Sequence, residues 1–124
     1  MDCPFCLPRI EKESVLQNEH CLFLQRGEPV LIGSGLIVPR RHCRTVFDLN
    51  AAEWQATYSL IQSVKELLDE TYHPDGYNLG WNCETTAGQE IFHAHLHVIP
   101  RYDNEPLAGQ GIRYLLKQEN NRRT

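Results

Sequence analysis

The chain has 124 residues, of which 41% are hydrophobic, and it carries a formal net charge of -4 at pH 7. A chain of this length can bury one hydrophobic core but is short for two, so we predict a single domain. The net negative charge excludes an overall basic surface that would bind nucleic acid polymers through their phosphates. We therefore expect any phosphate-bearing ligand to be bound by local groups.

The start of the sequence and its cysteines indicate the compartment. Residues 1–4 lack the basic and apolar regions of a signal peptide, and no apolar run reaches the length of a membrane span. We therefore expect a cytoplasmic protein without membrane association, in which disulfide bonds are rare. The close pair Cys3 and Cys6 is interpreted as a metal-binding or redox pair. The other cysteines are interpreted as small hydrophobic residues: Cys21, Cys43 and Cys83.

The first predicted elements are two short strands. The apolar run from Cys21 to Leu24 predicts one strand, and Gly35 to Val38, which stops at Pro39, predicts the next. The Arg26-Gly27-Glu28-Pro29 stretch between them predicts a turn. We expect the two strands to pair as a hairpin.

The longest periodic segment, from about Ala51 to Thr71, predicts a helix because apolar residues recur in it at helical spacing. Asn50 is a favourable N-cap residue, and Glu53 lies three residues later, where a capping box has its acid. Pro74 disfavours helical geometry in the residue before it, so the helix should end near His73.

Two further strands are predicted after the helix, from Tyr77 to Asn82 and from Phe92 to Ile99, joined by a small and polar loop. Strands joined in this way are most simply antiparallel neighbours. Asn82 would then lie near the start of the second strand. From Tyr102 onward we expect irregular structure, and the polar tail 117–124 should fray.

Three histidines alternate with apolar residues in the second of these strands, in the run His93-Ala94-His95-Leu96-His97. Because side chains alternate across a strand, the three imidazoles should project from one face. At a rise of about 3.3 Å per residue, His93 and His97 lie roughly 13 Å apart, too far for one metal ion to bind both. At least one histidine must therefore have another role.

Other interpretations are open at this level. The three histidines could be solvated or structurally satisfied, although their strict alternation in a chain with six histidines is improbable by chance. His93 and His95 could instead share a metal ion. Cys3 and Cys6 have the spacing of half a zinc site. Its other ligands could come from the run itself or from His20, His42 or His73.

The run from His93 to Ile99 resembles the signature of the histidine triad family, in which three histidines alternate with apolar residues. The resemblance implies one domain over residues 1–116, with an α+β fold, an antiparallel sheet of about five strands and one long helix. It also implies a homodimer formed through that helix and the adjoining sheet edge. Further stretches resemble bacterial members: Asn82, Ala87-Gly88-Gln89, Pro100-Arg101 and Gly111-Ile112-Arg113.

The resemblance also implies a chemistry, in which His95 attacks a nucleotide phosphorus and forms a transient nucleotidyl-histidine. A backbone carbonyl near the first histidine would hold the other ring nitrogen of His95. The substrate would be a dinucleoside polyphosphate or a nucleoside phosphoramidate. His97 would donate a hydrogen bond to the phosphate or the leaving oxygen. Gln89 would contact the phosphate, Gly88 would let the backbone approach it, and Asn82 would contact the leaving side.

In the zinc-bearing branch of this family, the resemblance places the metal ligands at Cys3, Cys6, His42 and His93. Four protein ligands close the coordination shell, so the Zn²⁺ would be structural. His95 and His97 would then be free for phosphate. The alternatives are a reduced pair without metal and, less favoured because Cys3 has only two residues before it, a redox pair.

Three positions depart from the family pattern. Arg26 stands where many members have an Asp or Asn that binds the ribose, and a guanidinium cannot accept hydrogen bonds from hydroxyls. Ser34 stands where many have a further histidine. Glu90 replaces a Ser or Thr near the leaving group, and we expect its carboxylate to be solvated. The competing functional hypothesis is a zinc-containing module that binds nucleotide with little turnover.

Overall fold

The computed structural model describes residues 3–124. Five strands and one long helix form an α+β fold, as predicted. The strands and the helix are β1 (Ser14–Gln17), β2 (Cys21–Leu24), β3 (Gly35–Pro39), α1 (Ala51–Tyr72), β4 (Gly76–Trp81) and β5 (Leu96–Arg101). Short 3-10 turns lie at Arg9–Glu13, Val46–Asp48, Thr85–Ala87 and Glu119–Asn121. Within residues 3–124, no helix combines the length and the apolar character needed to cross a bilayer.

The strands form one antiparallel sheet in the order β1-β2-β3-β5-β4. β2 and β3 make the predicted hairpin, with Cys21 opposite Pro39. The first residue of β3, Gly35, must be a glycine, because a Cβ at that position would lie only 2.5 Å from the carbonyl oxygen of Leu24. β5 pairs with both β3 and β4, so the strand that contains His97 lies in the interior of the sheet.

The strand predicted from Phe92 to Ile99 begins too early, because β5 starts only at Leu96. The physical reason is that the backbone just before Leu96 forms its hydrogen bonds with a loop and not with a neighbouring strand. The Ala94 N–H donates to the carbonyl oxygen of Cys43 over 2.7 Å, and the ladder with β4 ends where Trp81 faces Leu96. His93 and His95 therefore lie just before the strand, and His93 is part of a bend. β1 was not predicted, since its sequence Ser-Val-Leu-Gln contains only two apolar residues.

The helix α1 begins and ends as predicted. The Asn50 side chain accepts a hydrogen bond from the Glu53 N–H, and the Glu53 carboxylate accepts one from the Asn50 N–H. These reciprocal bonds satisfy two backbone donors that the first turn would otherwise leave open. At the other end His73 adopts a left-handed conformation with φ of 50°, which stops the helix before Pro74.

Each face of the sheet has its own core. The helix covers one face, and the N-terminal segment covers part of the other. Because successive side chains of a strand point to opposite faces, Leu22 and Leu24 lie away from α1 and pack against Phe5 and Ile10. The helix side is formed by Cys21, Phe23, Ile37, Leu60, Val64, Leu68, Leu96 and Val98. The packing of Phe5 brings both neighbouring cysteines, Cys3 and Cys6, onto the sheet.

Candidate active site and metal centre

Four side chains that could bind a metal ion converge from three parts of the chain, and their donor atoms all lie within 4.8 Å of one another. They are the predicted set Cys3, Cys6, His42 and His93. The two imidazole Nδ1 atoms are 3.2 Å apart, and three of the four sulfur-to-Nδ1 separations are 3.1, 3.4 and 3.6 Å. A tetrahedral zinc ion requires roughly 3.3 Å between nitrogen ligands and roughly 3.5 Å between nitrogen and sulfur ligands. The donor types and their spacing therefore fit Zn²⁺.

The imidazole of His93 is fully buried and oriented for this cluster. Its Nε2 donates a hydrogen bond of 2.9 Å to the carbonyl oxygen of Pro39, which leaves the lone pair of Nδ1 directed at the other donors. Burial lowers the pKa of His93, so its imidazole is neutral, the form that binds a metal. The end of β3 thereby orients a residue that lies 54 positions later in the sequence.

The redox interpretation of the cysteine pair finds no support in the structure. Burial, and then the neighbouring Cys3, raises the pKa of the Cys6 thiol to about 11. A reactive redox cysteine requires a lowered pKa, because the thiolate is the attacking species. The cysteines of residues 3–124 are all free thiols. The free thiols can instead bind a metal together with His42 and His93, and the metal would displace the thiol protons.

His95 is nearly buried, and its Nδ1 donates a hydrogen bond of 2.8 Å to the carbonyl oxygen of His93. This confirms the expectation that a backbone carbonyl near the first histidine holds the ring. With its proton on Nδ1, the imidazole has its lone pair on Nε2, where it can act as a nucleophile. The ring contacts of His93 count against a metal ion shared by His93 and His95, because its Nδ1 faces His42 and its Nε2 bonds to the carbonyl oxygen of Pro39.

His97 lies in β5 beside His95, with 5.1 Å between the ring centroids. Its Nε2 is buried and has no hydrogen-bond partner among residues 3–124. Burial, and then the nearby His95, lowers the pKa of His97 and keeps its ring neutral. Buried polar atoms are rarely left unpaired in native proteins. The His97 Nε2 is therefore a group that a bound ligand can satisfy.

The predicted substrate-binding residues Asn82 and Gly88 lie close together. A Cβ built on Gly88 would be 3.8 Å from the side-chain amide of Asn82. Gly88 has φ of 97°, a left-handed conformation that favours glycine. Asn82 and His97 also line one cavity of about 250 Å³, with Trp81 and Ile112 among its other walls. The structure thus places Asn82 beside the unpaired imidazole.

The Gln89 side chain is 2% exposed and points into its own loop. Its Oε1 accepts a hydrogen bond of 2.7 Å from the Glu84 N–H. Its Nε2 donates to the carbonyl oxygens of Arg44, at 2.7 Å, and of Ile91, at 3.1 Å. The amide therefore fixes the loop that contains Gly88, and the predicted contact of Gln89 with phosphate stays a prediction.

Several contacts around the site could not be read from the sequence. Arg44 forms an ion pair of 2.8 Å with Glu84 and lies 4.3 Å from the centroid of the Phe92 ring. Arg26, one of the departures from the family pattern, forms an ion pair of 3.3 Å with Glu13 and faces the ring of Phe5 at 5.3 Å. Such pairs join distant positions that share no spacing pattern. Glu90 is exposed, as expected.

Comparison with known proteins identifies relatives that match most of the chain. Residues 8–104 match the HIT domain family. An uncharacterized HIT-like protein of Mycoplasma genitalium is 31% identical over 123 residues, which cover 97% of this chain and 84% of that protein. An adenylylsulfatase of Arabidopsis thaliana is 31% identical, over 90% of this chain and 59% of its own. A bis(5'-adenosyl)-triphosphatase of Dictyostelium discoideum is 32% identical, over 73% and 61%.

Solved structures show the same fold. A HIT family protein from Bacillus anthracis superposes with a TM-score of 0.74 at 30% identity, covering 83% of this chain and 75% of that chain. A zinc-bound histidine triad family protein from Mycobacterium smegmatis gives a TM-score of 0.67 at 27% identity, covering 77% and 70%. With the family matched over most of its length, this chain belongs to the HIT, or histidine triad, family.

Proposed function

We propose that this protein hydrolyses or transfers a nucleotide at its phosphate through a covalent nucleotidyl-histidine on His95. The observation that carries the proposal is the 2.8 Å hydrogen bond from His95 Nδ1 to the His93 carbonyl, which leaves the Nε2 lone pair for attack. Relatives at about 30% identity that are named adenylylsulfatase and bis(5'-adenosyl)-triphosphatase support a hydrolase. The proposed substrates are dinucleoside polyphosphates or nucleoside phosphoramidates.

The reaction has two displacements at one phosphorus atom. In the first, the His95 Nε2 lone pair forms a bond to phosphorus, and the bond from phosphorus to the leaving oxygen or nitrogen breaks. The leaving group keeps that electron pair and takes up a proton. In the second, water attacks the same phosphorus, the bond to His95 breaks, and a nucleoside monophosphate is released while water gives up a proton. An acceptor other than water would make the reaction a transfer.

The neighbouring groups would stabilise the charge that develops on the phosphate. A neutral His97 with its proton on Nε2 would donate to a phosphate oxygen or to the leaving oxygen, since that atom has no protein partner. Asn82, which lies beside His97 in the same cavity, would contact the leaving side. Gly88 would bring its backbone close to the phosphate. Gln89 would contact the phosphate only by exchanging one of its present bonds.

The metal centre would be structural. Cys3, Cys6, His42 and His93 would hold the ion, and a four-ligand Zn²⁺ supplies a cross-link between the N-terminal segment and the histidine segment. The solved zinc-bound relative supports this assignment. His95 lies outside the donor set, so its lone pair stays available for phosphorus.

We also propose that two copies associate through α1 and the adjoining edge strand β4. Trp54 and Tyr58 on α1 are 50% and 60% exposed, an apolar area that a second copy could cover. Sedimentation should then give twice the chain mass of 14.3 kDa, and a monomer would contradict the proposal.

Free cysteines favour a reducing, cytoplasmic location, which cell fractionation would test.

The decisive experiment compares wild type and His95→Ala on a panel of diadenosine polyphosphates and of adenosine and guanosine phosphoramidates. We expect turnover by wild type, none by His95→Ala, and unchanged zinc content and fold in both. His20→Ala is the matched control, because His20 lies in the sheet region but outside the cluster. A labelled nucleotide should be trapped on wild type in an acid-labile form. Binding of the panel without turnover would instead indicate a nucleotide-binding module.

A further inference from the structure

Phe5 lies between the two metal-binding cysteines and joins their loop to the nucleophile. Its side chain is 2% exposed and packs with Leu22, Leu24 and other residues of the second core. Its ring centroid is also 5.2 Å from that of His95, with 60° between the planes. A second edge contact reaches His93, at 6.1 Å and 85°. The metal-binding loop therefore touches the proposed nucleophile through one aromatic side chain.

Arg26 holds Phe5 from another side. Its guanidinium carbon lies 5.3 Å from the centroid of the Phe5 ring, within the range of a cation–π contact. The same guanidinium donates a 3.5 Å hydrogen bond to the carbonyl oxygen of Pro4 and pairs with Glu13 at 3.3 Å. Arg26 thus contacts the Pro4 backbone and the Phe5 ring, and its ion pair with Glu13 anchors it to the 3-10 turn Arg9–Glu13.

The imidazole of His95 needs such a contact. The hydrogen bond from Nδ1 to the His93 carbonyl fixes one ring atom, but it leaves the plane of the ring free to tilt about that bond. The rings of Phe5 and His97, at 5.2 and 5.1 Å, limit this tilt. The tilt sets the direction of the Nε2 lone pair, and a misplacement of about 1 Å can slow a reaction roughly 100-fold.

We propose that Phe5 is a positioning residue that orients the imidazole of His95 for attack on phosphorus. Arg26 and the two cysteines hold Phe5 in place. The order of the metal-binding loop is thereby transmitted to the nucleophile by side-chain packing. The inference rests on the proposed function of His95 and adds to it a dependence on the N-terminal loop. It also gives Arg26 a role at the position where the sequence departs from the family pattern.

The kinetic test uses Phe5→Leu in the zinc-loaded protein, because Leu keeps an apolar side chain and removes the aromatic edge. We expect kcat to fall about tenfold or more with little change in KM, since orientation matters in the transition state. Arg26→Met, which alters a half-exposed side chain, should give a smaller fall in kcat. The double variant should lose less than the product of the single effects, because both act through one ring. Phe47→Leu, at an 83% exposed aromatic, is the control and should match wild type.

A second readout is independent of turnover. In NMR of protein labelled with ¹⁵N-histidine, the proton that His95 Nδ1 donates to the His93 carbonyl should exchange slowly in the zinc-loaded wild type. We expect faster exchange of that proton in Phe5→Leu and Arg26→Met, with zinc content unchanged. Unchanged exchange and unchanged kcat in both variants would overturn the inference. If the proton exchanges faster in the two variants but the wild-type protein turns over no substrate, the positioning role would be supported and the proposed function would be refuted.

Arg26→Met provides a test that does not depend on the folding of Phe5→Leu. If Phe5→Leu loses zinc or unfolds, Arg26→Met decides, because it leaves every buried side chain of the loop in place. A proton exchange rate and kcat equal to wild type in Arg26→Met would then count against the proposal.

Discussion

The backbone carbonyl oxygen of His93 accepts a 2.8 Å hydrogen bond from Nδ1 of His95. His93 therefore belongs to two sites at once: its ring is part of the metal-binding cluster, and its main chain fixes the tautomer of the proposed nucleophile. A change at the metal centre that moves the His93 backbone would also move the hydrogen bond on which His95 depends. The three histidines of the signature thus lie in different surroundings, which is why we propose different roles for them.

Loss of a cysteine ligand should release the metal. In Cys3→Ser and Cys6→Ser the hydroxyl cannot replace a thiolate ligand, so we expect little bound zinc by elemental analysis. Structural zinc binding in small peptides is worth about 10–16 kcal/mol, and we expect the free energy of unfolding to fall by roughly 3 kcal/mol or more in urea titrations. Cys83→Ser, outside the cluster, is the control. Full zinc content in Cys3→Ser would refute the assignment.

Replacing His97 should separate stability from activity. Because its buried Nε2 has no partner among the described residues, His97→Leu removes an unsatisfied polar atom, and the free protein should keep its stability or gain about 1 kcal/mol. The same change removes the proposed donor to phosphate, so kcat should fall by about 100-fold to 10,000-fold. Urea unfolding and steady-state kinetics of one preparation test both effects. A large loss of stability would show that His97 has a structural partner.

Local signals in the sequence were sufficient for several elements. Asn50 and Glu53 specify the start of α1 through bonds between residues three apart, so the cap could be read directly. The alternation of the triad correctly indicated that the imidazoles of His95 and His97 lie side by side. Alternation does not show where a paired strand begins, however, because residues just before the strand can continue the same pattern. The partner of Ala94 is Cys43, 51 positions away, so the start of β5 could not be predicted.

The role of Gln89 depends equally on distant partners. Its position in the sequence indicated a phosphate contact, whereas its amide bonds to the backbone of Arg44 and of its own loop. The contact of Phe5 with His95 has no signal in the sequence for the same reason, because only the folded chain brings together two rings that are 90 positions apart. The resemblance to the histidine triad family thus pointed to the candidate metal cluster and to His95 as the proposed nucleophile, and the structure adds the contacts that orient these side chains.

A change of Gln89 to Glu tests its role in the loop. A carboxylate cannot donate to the carbonyl oxygens of Arg44 and Ile91, and in this buried position it would face them without a proton. We expect Gln89→Glu to lower the free energy of unfolding by about 1–3 kcal/mol. Turnover should fall as well, because the loop holds Gly88. Gln62→Glu, on the exposed surface of α1, is the matched control and should change stability by less than about 0.5 kcal/mol. A wild-type melting curve for Gln89→Glu would contradict this account.

The stability of the protein should depend on the ionisation of Glu53 at acid pH. The Glu53 side chain is 4% exposed, and its carboxylate accepts hydrogen bonds from Arg41 at 2.8 and 2.9 Å and from the Asn50 N–H at 2.9 Å. The hydrogen bond from Arg41 holds the pKa of Glu53 below its usual value, although burial acts in the opposite direction. A carboxyl group with a depressed pKa in the folded state stabilises it fully above the unfolded pKa of about 4.3. That contribution is lost as pH falls through the lower folded pKa.

Glu53→Gln keeps the shape of the side chain and removes this contribution. Because Arg41 is half exposed, we expect wild type to be more stable than the variant by about 1–2 kcal/mol at pH 7. The difference should persist down to about pH 4 and shrink below it, where wild-type Glu53 becomes protonated. Urea titrations of both proteins at several pH values measure it, with Glu66→Gln at an exposed position of α1 as control. If the stability difference stays constant below pH 4, Glu53 stabilises the helix by its shape alone. If the difference disappears below pH 4, the charge-assisted hydrogen bonds between Glu53 and Arg41 anchor the segment that leads to His42.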